Sequence, residues 1–239
     1  MLAIIEMFST KGTEYLIILA YLAFLIPFWM LLNRSGVVRR AARVVVDWFR
    51  VPDDVGFHPG HTWAARVGDR RVRVGLDDLA QAFVGSPEAI TLPAAGTRLA
   101  RGERGWSLTV DGRELPMLAP VDGEVVAVNR EVLDDPSLLA DAYGRGWLLE
   151  IEVPSKRAAL KELLTGERAR TWMAATVDAL RARMGGELGP VMQDGGTPVS
   201  GFGRHLGPDW PALCGQLFQT TDLMARPTEG EPPEPGTAP

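Results

Sequence analysis

The chain has 239 residues, 46% of them hydrophobic and 23% charged, with a net charge of −5. That is room for one ordinary domain with appended segments, and it excludes a collagenous, wholly disordered or polybasic nucleic-acid-coating protein. A single cysteine, Cys214, with three histidines, His58, His61 and His205, excludes an internal disulfide and any cysteine- or histidine-rich metal centre.

Residues 1–13 form a short leading segment. From Tyr15 to Leu32 the run YLIILAYLAFLIPFWMLL carries no charge over eighteen residues. At 1.5 Å per residue it covers roughly 27 Å, close to the ~30 Å of a bilayer's hydrocarbon core. A backbone in lipid must satisfy its own hydrogen bonds, which predicts one transmembrane helix over 14–33 with Pro27 as its kink. Tyr15 and Trp29 stand near its two ends, where amphipathic rings prefer the interface. A cleaved signal peptide is the competing reading. The length of the run, the lack of a small-x-small motif and the arginines directly after it favour the anchor. Lys11, Glu6 and Glu14 precede the run; Arg34, Arg39, Arg40, Arg43 and Arg50 follow it, offset by Asp47 alone. The positive-inside rule then predicts a single-pass protein of the inner (cytoplasmic) membrane, N-terminus out and C-terminal body in the cytoplasm.

Residues 34–55 carry the sequence VVRRAARVVVDWFRV between Val37 and Val51. Val37, Val38, Ala41, Val44, Val45, Trp48 and Phe49 recur at helical spacing, with Arg39, Arg40, Arg43, Asp47 and Arg50 on the other face. This predicts a basic amphipathic helix. Its stripe either lies on a leaflet, with anionic lipid head groups as partners, or packs on the soluble domain or a neighbouring subunit.

Residues 56–165 change to short alternating runs. Thr62–Val67, Arg71–Val74, Ser107–Val110, Leu115–Leu118, Val125–Val128 and Leu148–Ile151 read as strands, and Asp77–Phe83 as a short helix. Gly68-Asp69, Asp111-Gly112 and Asp122-Gly123 supply hairpin chemistry. The fold class is mainly β (α+β), a sandwich or barrel with edge helices.

Four blocks here resemble the H protein of the glycine cleavage system, a relative of lipoyl and biotinyl carrier domains. They are His61-Thr62-Trp63, VRVGLDDLAQAFVG at Val72–Gly85, LAPVDGEVVAVNREVLDDPSLLADAYGRGWLLEIEV at Leu118–Val153, and a helical finish around Ala158–Leu164. The resemblance implies a flattened barrel of two antiparallel sheets with small edge helices. It also implies a hairpin whose tip presents a lysine joined to lipoic acid. Counted back from Ala119-Pro120, that tip reads Thr109-Val110-Asp111-Gly112-Arg113-Glu114, and the only lysines in the chain are Lys11, Lys156 and Lys161. An amide link needs a primary amine, which an arginine guanidinium does not supply. Asp111, Gly112 and Arg113 therefore mark a degenerate attachment tip, closed as a type I′ turn, with no cofactor expected.

Other candidate positions are weaker. His58-Pro59-Gly60-His61 has no third histidine nearby and reads as structural. Asp53-Asp54, Asp77-Asp78 and Asp134-Asp135 read as solvated turns rather than acid–base pairs, since caps and turns favour aspartate. Gly201-Phe202-Gly203 follows no apolar strand and is no nucleotide loop. No catalytic constellation emerges, so the chain is not expected to be an enzyme.

The extension 166–225 holds a predicted helix at Glu167–Met184 with Trp172, Met173, Val177, Leu180 and Met184 as its apolar side, stopped by Gly185-Gly186. Residues 185–208 carry eight glycines and three prolines and read as a loop. Trp210–Met224 reads as a last short helix using Leu213, Leu217 and Phe218. Residues 226–239 are proline- and acid-rich and read as disordered.

Together these features predict a non-catalytic, membrane-anchored accessory or scaffold subunit of a bacterial membrane complex, with respiratory or photosynthetic electron-transfer assemblies as analogues by layout, a reaction centre among them. Its expected partners are integral membrane subunits and no nucleic acid. The alternatives are a lipoyl-type carrier related to the glycine cleavage system and a lipid- or small-molecule-binding sensor.

Overall fold

The computed structural model describes Tyr15 and residues 18–25, 45–46, 48–155, 160–183, 200–204 and 210–224. The chain divides into two compact units, Met1–Val44 and Val45–Pro239. In the first, Tyr15 and residues 18–25 are helical and expose their large apolar side chains, Tyr21 and Leu19 at 61% each. Among the described residues no helix is long and apolar enough to cross a membrane. Most of the predicted span, with Trp29 and with Arg34, Arg39, Arg40 and Arg43, lies outside the described residues, as do residues 226–239.

The second unit begins with a correction. The predicted amphipathic helix is, over its last part, a small hairpin: β1 (Val45–Val46) pairs with β2 (Phe49–Arg50). Consecutive valines favour extended backbone, and the hairpin inserts Phe49 (4% exposed) and Val51 (0%) into a core with Ala169, Met173 and Val177. Of the two fates left open for the stripe, Phe49 takes packing on the domain, with Trp48 partly buried beside it.

Six strands then form one antiparallel sheet: β3 (Val55–His58), β4 (Thr62–Arg66), β5 (Arg71–Leu76), β7 (Arg98–Leu99), β10 (Gly123–Val128) and β11 (Trp147–Glu152), in the order β3-β4-β5-β11-β10-β7. A three-stranded sheet, β6-β8-β9, comes from β6 (Ala89–Thr91), β8 (Arg104–Val110) and β9 (Arg113–Leu118). Val72 and Val74 of β5, Leu149 and Ile151 of β11, and Leu108, Leu115 and Met117 of the smaller sheet are buried in one shared core. The period-two burial this requires is what the alternating runs encoded. Gly123 is obligatory: a Cβ there would stand 2.4 Å from the Glu152 carbonyl oxygen. The expected closing helix ends early, because Leu164 exchanges backbone hydrogen bonds with Phe57 (2.8 and 2.9 Å) as an isolated bridge.

Helix α1 (Asp78–Val84) follows β5 and is capped by Asp77, whose side chain accepts from the Ala80 N–H. A second short helix, α2 (Arg130–Asp134), and a 3-10 turn at Pro136–Ala140 lie before β11. Helix α3 (Gly166–Arg183) buries Ala169, Met173 and Val177, one position per turn, against Phe49, Val51 and Phe57. The last predicted helix is two: α4 (Trp210–Leu217) and α5 (Thr221–Met224). Phe202, Trp210, Cys214 and Phe218 join the main barrel core, so this part of the extension covers the barrel.

Candidate functional site

The β8–β9 hairpin positions the tip that the sequence marks as an attachment point. Val110 pairs with Arg113, leaving Asp111 and Gly112 as a two-residue loop. Both have positive φ, 50° and 70°, the conformation of a type I′ turn whose twist matches the flanking strands. The Gly112 N–H donates to Glu88 Oε2 at 3.1 Å, and Glu88 in turn donates its N–H to the Thr109 carbonyl at 2.8 Å. Arg104 pairs with Glu114 across the hairpin. The extension reaches the same place: Arg204 lies 3.7 Å from Asp111 Oδ1 and donates to the Ser86 carbonyl at 2.8 Å. Arg113 stands over the Trp210 ring at 5.7 Å.

Chemically this tip offers carboxylates and guanidinium groups, suited to ion pairs and hydrogen bonds, and no primary amine. Of the three lysines, Lys161 is the one within the described residues; it is exposed and lines a cleft with Asp53, Asp54 and Arg66.

A second polar cluster lies at the start of β4. His61 is 1% exposed and adopts φ 60°, with Nδ1 2.7 Å from Asp77 Oδ2, while Asp77 Oδ1 caps α1 at 2.8 Å. One carboxylate thus orients an imidazole and starts a helix. Asp77 is 0% exposed, which corrects its assignment to a solvated turn. Trp172 of α3 covers the imidazole at 4.7 Å between centroids. Neighbouring His58 accepts the Gly60 N–H on Nδ1 at 3.0 Å. Burial, then the charges of Arg101 and His61, push its pKa down to about 4, so this ring is neutral at pH 7. Both histidines serve the fold here, and His205 lies outside the described residues.

Asp78, Asp53 and Asp135 are also engaged. Asp78 holds Arg50 through two guanidinium contacts, 3.1 and 3.3 Å, and accepts the Arg50 backbone N–H at 2.9 Å. Tyr143 donates to the Arg50 carbonyl at 2.7 Å, and burial holds its phenol well above the usual range. Asp53 pairs with Arg170 at 2.5 Å, and Asp135 caps the 3-10 turn through Ser137. Gly201-Phe202-Gly203 packs on α1, with Phe202 edge-on to Phe83 at 5.2 Å. Sequence spacing missed the His61–Asp77 pair and the Arg50–Asp78 tie because both join positions far apart in the chain.

Two antiparallel sheets sharing one core, a helix after the third strand of the larger sheet, and a hairpin closed by a two-residue turn define an H-protein-type barrel. The glycine cleavage H-protein family matches residues 56–176, half of the sequence, and the chain belongs to that family. The match runs past the expected boundary at 165 and into α3. The glycine cleavage system H protein of Mycobacterium avium is 38% identical over 116 residues, 48% of this chain and 87% of that protein. The H protein of Mycolicibacterium vanbaalenii is 35% identical over 127 residues, 52% of this chain and 97% of that protein. A crystal structure of the Mycobacterium marinum H protein aligns with a TM-score of 0.45 at 28% identity, covering 51% of this chain and 97% of that one.

Proposed function

We propose that this chain is a non-catalytic member of the H-protein family that offers the family's recognition surface without an attachment point at the hairpin tip. In this reading it docks on enzymes that receive H proteins, those of a glycine cleavage system or a related lipoyl-handling complex. The observation that carries the proposal is the Asp111-Gly112 turn, where the residue types supply no acylable amine and the turn is complete as structure. The uncharged run Tyr15–Leu32 supports placing that complex at a membrane. The helical residues 18–25, with their outward apolar side chains, support it too.

The second reading is a working lipoyl-type carrier. It has the broader support, because the family match and the relatives named above are all glycine cleavage H proteins. It requires one of the lysines outside the hairpin to take the arm.

Competition separates the two readings. Purified full-length chain, titrated into a glycine cleavage assay that already contains a lipoylated H protein, inhibits as a competitor of that H protein if it docks without cargo. Support of turnover in the absence of the other H protein would overturn the docking proposal in favour of the carrier.

A further inference from the structure

The C-terminal extension does more at the hairpin than cover the barrel. Trp210 opens α4 and is 4% exposed, packed in the main core. It lies beyond residue 176, where the family match ends, so this indole is no part of the matched barrel. Its ring sits under the guanidinium of Arg113, 5.7 Å from centroid to Cζ. That is within the ~6 Å over which a ring face attracts a cation. Arg113 follows directly on the Asp111-Gly112 turn, paired with Val110, and is exposed. A residue of the extension therefore forms a floor for a side chain of the tip.

The other charged side chains of the tip are already engaged. Asp111 has Arg204 at 3.7 Å, Glu114 has Arg104, and Glu88 accepts the Gly112 N–H at 3.1 Å. Among the described residues Arg113 makes no ion pair and its side chain donates no hydrogen bond; its partner is the Trp210 face. A cation held over a ring needs no hydrogen bond to stay there, so all of its N–H donors remain for an outside acceptor. Those donors form a rigid planar fork that matches a carboxylate with two parallel bonds. An arginine without such a floor loses rotamer freedom when it docks, whereas here part of that loss is met on folding.

We infer that Arg113, set over Trp210, is the anchor of a docking surface that takes a carboxylate of the partner enzyme. The inference rests on the docking reading above and names the side chain that carries it. Charge sets the partner's chemistry. The unpaired group at the tip is a cation, so it recruits an acid, while a partner lysine or arginine would meet carboxylates that are already engaged. Such a pair is weak while water surrounds it. Closure of a partner over the tip excludes that water, and arginine and tryptophan are prominent among the residues that then dominate binding.

The test uses the full chain in mild detergent as competitor of a lipoylated H protein in the glycine cleavage assay. Arg113→Ala should raise the concentration for half inhibition about tenfold at an unchanged melting temperature. Arg113→Lys keeps the charge and loses the fork, and should raise it about threefold. Added salt should narrow the gap between wild type and Arg113→Ala. Arg98→Ala removes an arginine whose side chain is 88% exposed on the other sheet, and should leave inhibition as it was. Inhibition by the wild type that Arg113→Ala leaves intact would overturn the anchor while the docking reading stands. An equal loss from Arg98→Ala would overturn it as well, by showing attraction of charge in general. A wild-type chain that does not inhibit at all would remove the docking reading itself, and the anchor with it.

Discussion

His58 makes the stability of the barrel depend on pH in a direction that can be worked out in advance. Its Nδ1 accepts the Gly60 N–H, a bond that only the neutral ring can make, and the side chain is 7% exposed. The folded pKa is about 4 against an ordinary 6.5. The folded state therefore binds fewer protons than the unfolded chain between those values. Its contribution is complete above pH 6.5, declines as the pH falls toward 4, and levels off below. Two and a half units at 1.36 kcal/mol each set an upper bound of roughly 3 kcal/mol. Screening by solvent at a ring near the surface reduces this to about 1–2 kcal/mol. His58→Asn removes the titration and keeps an acceptor for Gly60, in a sequence where asparagine favours the same turn. Urea unfolding of both chains at several pH values between 7.5 and 4 isolates the effect, because the carboxylates common to both cancel in the difference. The wild type should lose about 1–2 kcal/mol more than the variant over that interval. Parallel pH dependences would refute the claim that burial keeps this imidazole neutral.

Other consequences concern the extension. Met173→Ala empties a fully buried position against Phe49, Val51 and Phe57. It should cost about 2–5 kcal/mol in urea denaturation, with barrel and α3 unfolding in one transition. Cys214 is buried, and burial pushes its thiol up to about 12 against the opposing influence of Arg113. Maleimide labelling at pH 7.5 should be ~10³-fold slower in the folded chain than in guanidinium, where the ordinary thiolate fraction returns.

The sequence was most legible where a local pattern and a local turn agreed. Asp111-Gly112 between two alternating runs specifies a two-residue hairpin, and the structure places it within β8–β9 with both residues at positive φ. Asp77 ahead of Leu79, Ala80 and Phe83 signals a helix start, and α1 begins one residue later. Legibility failed where tertiary contacts chose between local options. Val45–Arg50 satisfies a helical stripe as well as a hairpin, and the pocket formed by Ala169, Met173 and Val177 decides for the hairpin by burying Phe49. Strand β3 was missed because Val55–His58 is buried at every position and so shows no alternation. The amine-free tip was visible only once the family resemblance said where to look.

The central claim is that this H-protein body carries no arm. Intact-mass measurement of the full chain, purified from cells that make lipoylated proteins, tests it directly. The claim predicts one species at the mass of the sequence, with peptide mapping showing free amines at Lys11, Lys156 and Lys161. A stoichiometric lipoyl adduct on any of the three would contradict it and make the chain a carrier.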